Sequence, residues 1–262
     1  MNAKKRLKSL MGRAADAFGL LTRDFSSTMV IVTFHRVNDQ MEPDGITCSA
    51  ATFETFCRFF QAHFKIMSLH QQIAGCRSGQ NTAGTLSITF DDGYRDNAEI
   101  AAPILRRLGL PATFFVVTGF IGTDYTAPWD AHLARPPQWM DWNHLRSLRD
   151  QQFEIGAHTD GHIDLGTAEP AAIQADLARC RAKLQAELGA PPRLFAYPFG
   201  GREHIRPASV ELVRQAGFEC CLSSCGSVNG PVADPFQLNR INVGGWFETP
   251  HQLGMEIMLR RA

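Results

Sequence analysis

The chain has 262 residues, of which 44% are hydrophobic and 20% are charged, so it holds enough apolar material for one large α/β domain. Its 26 basic residues balance its 26 acidic residues, and without a net positive charge we expect no nucleic-acid partner. No run of about 18 apolar residues occurs, so we expect no membrane-spanning helix.

Residues 1–28 are predicted to form a basic, amphipathic helical segment in front of a domain that spans residues 29–262. Five of the segment's six basic residues precede its first acid, Asp16, and its apolar residues recur at helical spacing. Those five are Lys4, Lys5, Arg6, Lys8 and Arg13, and the recurring apolar residues are Leu7, Leu10, Met11, Ala14, Phe18 and Leu21. No signal-peptide core or cleavage site follows. The pattern favours a helix packed against the domain and leaves open a helix lying on anionic lipid.

Two predicted strands end on residues that can do chemistry. The first strand, 29–34, ends on His35, and an apolar run over 86–90 ends on Asp91-Asp92-Gly93. Adjacent carboxylates repel each other unless a cation or a proton lies between them. The carboxyl ends of parallel strands are also where α/β folds place their sites. The simpler alternative is a turn in which an aspartate caps the following helix.

A third strand end supplies two imidazoles. The predicted strand 153–157 is followed by His158-Thr159-Asp160-Gly161-His162. Together with Asp92, His158 and His162 offer two nitrogens and one oxygen, which suit a catalytic divalent metal with open positions. The same set of ligands suits a non-haem iron oxygenase, and two solvent-exposed loop histidines are the simplest alternative.

Seven predicted strands alternate mostly with helices, which favours a parallel sheet closed, or nearly closed, into a barrel. The strands are 29–34, 86–90, 112–117, 153–157, 194–197, 219–223 and 238–243. Helices are predicted over 51–64, 97–108, 141–148, 169–188, 207–216 and 250–260, with Asp141 as an N-cap and residues 75–84 as a loop. In the loop 125–140, Trp129 and Trp139 could stack on a sugar or pack as local core.

The seven cysteines are read as reduced thiols. Their number is odd and none shows paired Cys-x-x-Cys zinc spacing. Several lie in apolar patterns, where a free thiol behaves as a small hydrophobe. Reduced thiols predict a cytoplasmic location, with the inner face of the membrane left open.

The motifs Thr89-Phe90-Asp91-Asp92-Gly93 and His158-Thr159-Asp160-Gly161-His162 resemble the first two motifs of the polysaccharide deacetylases, the NodB-homology carbohydrate esterases. The resemblance runs from about Met29 to the C-terminus. It implies a distorted (β/α)7 barrel that removes N-acetyl groups from amino sugars of a bacterial glycan or its precursor. It also implies that Asp91 is the catalytic base. By the same resemblance Asp92, His158 and His162 bind a divalent metal, expected to be Zn²⁺.

The general acid is expected by resemblance to a circularly permuted branch, the poly-N-acetylglucosamine deacetylases. In that branch the histidine that acts as general acid precedes the Asp-Asp motif, and Phe34-His35-Arg36-Val37 matches the strand end that carries it. His35 is therefore the predicted acid, since the reaction needs a proton donor near neutral pH. His251, near the C-terminus, is the alternative.

The family's third motif, usually Arg-x-Pro-Tyr, departs here to Ala196-Tyr197-Pro198-Phe199. The resemblance implies that the Phe199 N–H can still hold the oxyanion. We expect Arg240 to replace the missing arginine by pointing into the barrel and pairing with Asp91, with a surface arginine on an edge strand as the alternative. Trp246 is a candidate wall of the substrate groove. These departures leave open an inactive, metal-bearing sugar-binding module, and the oligomeric state is undetermined.

Overall fold

The computed structural model describes residues 3–260, within which strands and helices alternate along most of the chain. The strands are β1 (Met29–Phe34), β2 (Arg36–Val37), β3 (Thr47–Cys48), β4 (Lys65–Ile66), β5 (Thr85–Phe90), β6 (Thr113–Val116), β7 (Glu154–Ala157) and β8 (Ile241–Asn242). The α-helices are α1 (Ala3–Ala17), α2 (Leu20–Phe25), α3 (Ala50–His63), α4 (Leu69–Arg77), α5 (Ala102–Leu108), α6 (Trp142–Asp150), α7 (Pro170–Leu188), α8 (Pro207–Gln215) and α9 (Pro250–Leu259).

The main sheet is parallel and its strands follow the order β7-β6-β5-β1-β8, with β4 also paired to β5. Single parallel bridges continue it beyond β7, from Ala157 to Phe195, from Ala196 to Leu222 and from Leu222 to Leu238. The chain then enters β8, which pairs with β1. The pairings therefore form a circuit of seven strand positions, as the (β/α)7 barrel prediction requires, and all their carboxyl ends lie at one end.

The last three predicted strands are much shorter than expected. The run 219–223 is reduced to a bridge at Leu222, and the run 238–243 to a bridge at Leu238 and the two residues of β8. The side chain of Asn229 explains the interruption, because it hydrogen-bonds both the N–H and the carbonyl of Asn239 at 2.8 and 2.9 Å. Those backbone groups are thereby withdrawn from the strand ladder.

β1 and β5 are the longest strands of the described residues, and all six residues of each are buried. Towards the helices, the ring of Phe90 stacks on Phe34 and Phe114 with centroids 5.7 and 4.9 Å apart. A second apolar cluster joins Met29 and Ile31 of β1 to side chains from across the circuit, including Phe115, Leu222 and Leu238. Strands buried on both faces are typical of parallel sheets, and they give the site a rigid base.

Helix α4 corrects one prediction, since Gly75, Cys76 and Arg77 are helical rather than part of a loop. Ser68 and Gln71 form a capping box at its start, and Leu69, Ile73 and Cys76 are buried at helical spacing. The predicted N-cap Asp141 is confirmed, because its carboxylate accepts the N–H of His144 at 2.9 Å.

The N-terminal segment forms α1 and α2 and packs on the domain. Helix α2 buries Leu21 and Phe25, whereas α1 does not pack through its large apolar residues. Helix α1 contacts α9 with Ser9, Gly12 and Ala15, the buried residues of that helix. Of the six apolar residues predicted to share a face, only Leu21 is buried. Small residues occupy the face of α1 that contacts α9, because they let the two helices approach closely. Within residues 3–260, no helix combines the length and apolar content needed to cross a membrane.

Candidate metal centre and active site

The predicted catalytic and metal-binding residues meet in one cavity of about 300 Å³ at the carboxyl ends of the central strands. His35 follows β1, Asp91 and Asp92 follow β5, and His158 follows β7. His162 completes the set from the loop after His158. The volume lies at the lower end of the range for small-molecule sites, about 300–1,000 Å³.

Asp92, His158 and His162 are arranged as metal ligands. The Nε2 atoms of both histidines lie 3.5 Å from Oδ1 of Asp92, and the three donor atoms all fall within 4.8 Å of one another. Two ligands of a tetrahedral zinc ion lie about 3.3 Å apart when each bond is near 2.0 Å. The donor set and its spacing therefore fit a divalent ion such as Zn²⁺.

The surroundings prepare these ligands for metal binding. The Nδ1–H of His158 donates to the carbonyl of Ala196 at 2.8 Å, which directs its Nε2 towards Asp92. Burial alone would raise the pKa of Asp92, but hydrogen bonds from His158 and His162 hold that pKa well below its usual value. Asp92 is therefore an ionised, metal-ready carboxylate in a buried position.

The loop that carries both histidines is held by Asp176 of α7. Its two carboxylate oxygens accept the N–H groups of Asp160 and Gly161 at 2.7 and 2.9 Å. Burial raises the pKa of Asp176 despite these two hydrogen bonds. The sequence prediction missed this residue, because an aspartate on the inner face of a long helix carries no motif. Its signal would have been its position among the buried residues Ile173, Leu177 and Cys180.

The predicted ion pair between Arg240 and Asp91 is present. Nη1 and Nη2 of Arg240 each lie 2.7 Å from a different oxygen of Asp91, and Arg240 is completely buried. Burial would raise the pKa of Asp91, but the Arg240 guanidinium, together with His158 and His35, lowers that pKa below its usual value. Arg240 also donates to the carbonyl of Ser223 and to the hydroxyls of Thr33, Thr89 and Ser224. Asp91 is thus held as an oriented carboxylate.

His35 lines the cavity, and its buried Nδ1 has no hydrogen-bond partner among residues 3–260. Burial lowers the pKa of His35, while the carboxylates of Asp92 and Asp91 oppose that shift. The alternative acid, His251, lies outside the cavity. Its Nε2 is 3.0 Å from Asp16 of α1, and its ring packs edge-on against Phe59.

Phe199 also lines the cavity, in a left-handed backbone conformation with φ of +63°. Its N–H donates no hydrogen bond to another residue within 3–260. Five non-glycine residues in that range have positive φ, and four of them belong to this site. These four are Asp92, Thr159, His162 and Phe199. Such strain costs about 1–3 kcal/mol per residue and is concentrated at functional sites in other proteins.

A buried network that the sequence did not reveal holds one wall of the cavity. Arg36 forms ion pairs with Asp130 and, at 2.7 Å, with Asp44. Asp130 in turn accepts the hydroxyl of Tyr94 at 2.9 Å, and that hydroxyl accepts the indole N–H of Trp129 at 2.7 Å. The network thereby fixes Trp129 in the cavity wall.

The three tryptophans predicted as candidate sugar contacts, Trp129, Trp139 and Trp246, lie in different environments. Trp129 lines the cavity, with its ring centroid 4.7 Å from that of His162. Trp139 is buried and stacks on Tyr94, so it belongs to the local core. Trp246 is half-exposed and lies against Gly45, at the rim rather than in the cavity lining.

Three residues that line the cavity each have a buried polar atom without a hydrogen-bond partner within the described range, namely Nδ1 of His35, Oη of Tyr197 and Oδ1 of Asn242. An unsatisfied buried group costs about 1–3 kcal/mol, so native proteins rarely keep one without a ligand. Tyr197 has the Cys221 thiol, a weak partner, beside it. The two groups missed by the sequence prediction, Tyr197 and Asn242, are therefore candidate substrate contacts.

Comparison with known proteins places this site in a family. Residues 78–221, more than half of the chain, match the family described as polysaccharide deacetylase, and the chain belongs to that family. The matched region contains the candidate metal ligands Asp92, His158 and His162 together with Asp91, whereas His35 and Arg240 lie outside it.

The chain is similar to YxkH of Bacillus subtilis (strain 168), a protein named for this family. The two are 27% identical over 113 residues, which is 43% of this chain and only 36% of YxkH. Among solved structures, IcaB from Ammonifex degensii has a TM-score of 0.71 at 23% identity, covering 83% of this chain and 92% of IcaB. The Streptococcus pyogenes deacetylase PplD, in complex with acetate, has a TM-score of 0.71 at 17% identity, covering 86% of this chain and 96% of PplD. The predicted family and fold are thus confirmed.

Proposed function

We propose that this protein is a metal-dependent hydrolase that removes the N-acetyl group from an amino sugar of a bacterial glycan or its precursor. The observation that carries the proposal is the juxtaposition in one cavity of a possible metal site, Asp92-His158-His162, with Asp91, which is paired to the buried Arg240 behind it. Membership of the polysaccharide deacetylase family supports it. PplD, a protein of similar fold, is a deacetylase whose structure contains acetate, which is the acyl product expected here.

The chain's own residues can divide the work of hydrolysis. When bound, a divalent ion supplies Lewis-acid polarisation of the acetamide carbonyl and lowers the pKa of a coordinated water. Asp91, kept ionised by Arg240, accepts the proton of the attacking water. The N–H of Phe199 donates to the carbonyl oxygen as negative charge develops there.

His35 supplies the proton that the leaving amine nitrogen needs when the carbon–nitrogen bond breaks. Because burial lowers its pKa, its imidazolium form is a stronger acid than that of a solvent-exposed histidine. Acetate and a free amino sugar are the products. His251 is disfavoured because it lies outside the cavity, between α1 and α3.

Zn²⁺ is the proposed ion, because two imidazole nitrogens and one carboxylate oxygen with tetrahedral spacing suit it. The oxygenase alternative shares these ligands but gives the Asp91–Arg240 pair no role. The alternative of an inactive sugar-binding module differs only in turnover, so an activity assay separates it.

The experiment is acetate release from N-acetylated glycans, lipid-linked amino sugars and nucleotide-linked amino sugars, with zinc and without oxygen. We expect release from at least one substrate class by the wild-type protein and none by Asp91→Asn. The exposed Asp124 gives a matched control, Asp124→Asn, that should behave as wild type. Binding of N-acetylated sugars without acetate release would contradict the hydrolase proposal. Full turnover by the Asp91→Asn protein with zinc bound would contradict the assignment of Asp91 as the base.

We also infer a cytoplasmic location. All seven cysteines are free, and six of them are buried, which suits a reducing compartment. Rapid alkylation of intact cells followed by mass spectrometry would test it, with reduced cysteines as the expected result. A disulfide recovered from the protein in cells would contradict the inference.

A further inference from the structure

The N-terminal helices expose an apolar stripe that the rest of the domain does not cover. Five of the ten exposed large hydrophobic side chains within residues 3–260 fall between positions 7 and 20. They are Leu7, Leu10, Met11, Phe18 and Leu20, and Phe18 is 80% exposed. Single exposed hydrophobic residues are ordinary, but five of them along one short helical segment indicate a surface with a partner.

The stripe faces outward because the opposite face of α1 is fixed to α9. Ser9 hydrogen-bonds Thr249 at 2.9 Å, and Lys8 pairs with Glu256 at 2.5 Å. At Gly12 the two helices are so close that a Cβ atom would lie 2.1 Å from the carbonyl oxygen of His251. Rotation of α1 to bury the stripe would break these contacts, so the exposed face is a stable feature of the fold.

The charge of the segment is the second observation. The whole chain is formally neutral, yet its first 15 residues contain five basic residues and no acidic one. Lys5 pairs with Glu248 and Lys8 with Glu256, on the side of α1 that faces α9. Arg6 and Arg13 are exposed beside the stripe and form no ion pair within the described residues. An apolar stripe flanked by arginines is complementary to an anionic lipid surface, where side chains enter the acyl boundary and cations meet phosphates.

We propose that the exposed face of α1 and α2 docks this protein on an anionic lipid bilayer. The opposite side of α1 is linked to the rim of the catalytic cavity. Lys5 of α1 lies 3.6 Å from Glu248, two residues beyond Trp246, which covers Gly45 between the cavity residues Asp44 and Ile46. In a second step, which rests on the proposed function, the substrate is an N-acetylated amino sugar held at the membrane by a lipid anchor.

Vesicle binding tests the docking step without any assay of turnover. The full chain is mixed with vesicles of phosphatidylcholine, with or without about one-third phosphatidylglycerol, and bound protein is recovered by flotation. We expect binding to the anionic vesicles only, weakened by salt. Leu10→Ser and Phe18→Ser should each weaken it about tenfold, and the pair Arg6→Gln with Arg13→Gln about tenfold or more.

Val232 offers a matched control, since it is 61% exposed and lies outside the N-terminal helices; Val232→Ser should bind like wild type. Thermal unfolding checks that each variant is folded. Equal binding to neutral vesicles, or no binding to either kind, would overturn the proposal. So would a dimer that Phe18→Ser disperses in the absence of vesicle binding, because the stripe would then belong to a second copy.

The substrate step has its own readout. Leu10→Ser should leave turnover of a soluble N-acetylated sugar unchanged and lower turnover of a lipid-linked one presented in anionic vesicles by about tenfold. Equal rates for Leu10→Ser and wild type on the vesicle substrate would overturn this step alone. Absence of turnover on every substrate by the wild-type protein would count against the proposed function and leave the vesicle result intact.

Discussion

Replacing Arg240 by methionine should cost both stability and activity, because it leaves the carboxylate of Asp91 buried without its cation. Asp91 is 2% exposed, and both of its oxygens rely on the guanidinium at 2.7 Å. Removing one partner of a buried ion pair destabilises a protein by about 3–5 kcal/mol. That is a large share of a typical stability of about 5–15 kcal/mol. The carboxylate would also take up a proton more readily, since burial raises its pKa once Arg240 is gone.

Urea unfolding is monitored by tryptophan fluorescence, and acetate release is measured on the same variants. The free energy of unfolding of Arg240→Met should be lower by about 3–5 kcal/mol, so that it unfolds at a lower urea concentration, and its turnover should be lost. The double variant Asp91→Asn with Arg240→Met removes both charges and should recover most of the stability, but none of the activity. Arg240→Lys, which keeps the charge but loses the two-point contact, should fold and lose about 10²-fold in kcat. If Arg240→Met unfolded at the wild-type urea concentration and kept its turnover, Arg240 would not be the residue that orients the base.

Three further predictions test the rest of the site. Asp176→Asn should weaken zinc affinity about 10- to 100-fold by loosening the histidine loop, measured by competition with a chromophoric chelator; Glu187→Gln on the same helix is the control and should bind as wild type. Prolonged dialysis against a chelator should abolish acetate release and lower the unfolding temperature, and added Zn²⁺ should restore both; activity that survives verified metal removal would refute the metal role. Trp129→Ala should raise KM about tenfold or more with a smaller effect on kcat if its ring packs on the sugar, whereas a fall in kcat alone would place the ring in the chemistry instead.

The candidate metal ligands could be predicted from sequence because Asp92 and His158 closely follow strands with a strong local signal, and His162 belongs to the same motif as His158. β1 begins and ends where the apolar run predicts, and β5 and β7 differ from prediction by one residue at the start. A strand boundary fixes the position of the next residue in a parallel sheet to within a few ångströms. Asp92 and His158 therefore meet at the same edge, although 66 positions separate them in the numbering.

The supporting residues could not be predicted in the same way, because their roles depend on contacts between distant segments. Asp176 looks like one polar residue on a helix until the loop at Asp160 folds over it. Arg36 follows His35 in the sequence, yet its partners come from two separate loops. The face through which α1 packs could not be predicted for a related reason. Periodicity locates an apolar stripe, but it does not reveal that Gly12 on the other face permits a closer helix contact.

The strained backbone at the site is held in place by the two central strands, β1 and β5. Four non-glycine residues at the cavity adopt left-handed backbone conformations, and each costs about 1–3 kcal/mol. The buried pair of Asp91 and Arg240 adds a desolvation cost of its own. A strained site of this kind persists only where the surrounding structure allows no conformation of lower free energy. β1 and β5 meet that requirement, because they are buried along their whole length and paired in parallel from Met29 and Thr85 to Phe34 and Phe90. Relaxing the backbone at Asp92 would therefore disturb a core that packs at the density of an organic crystal. The strained carboxylate thus keeps its position before any ligand arrives, which is the condition for electrostatic preorganisation of the reaction.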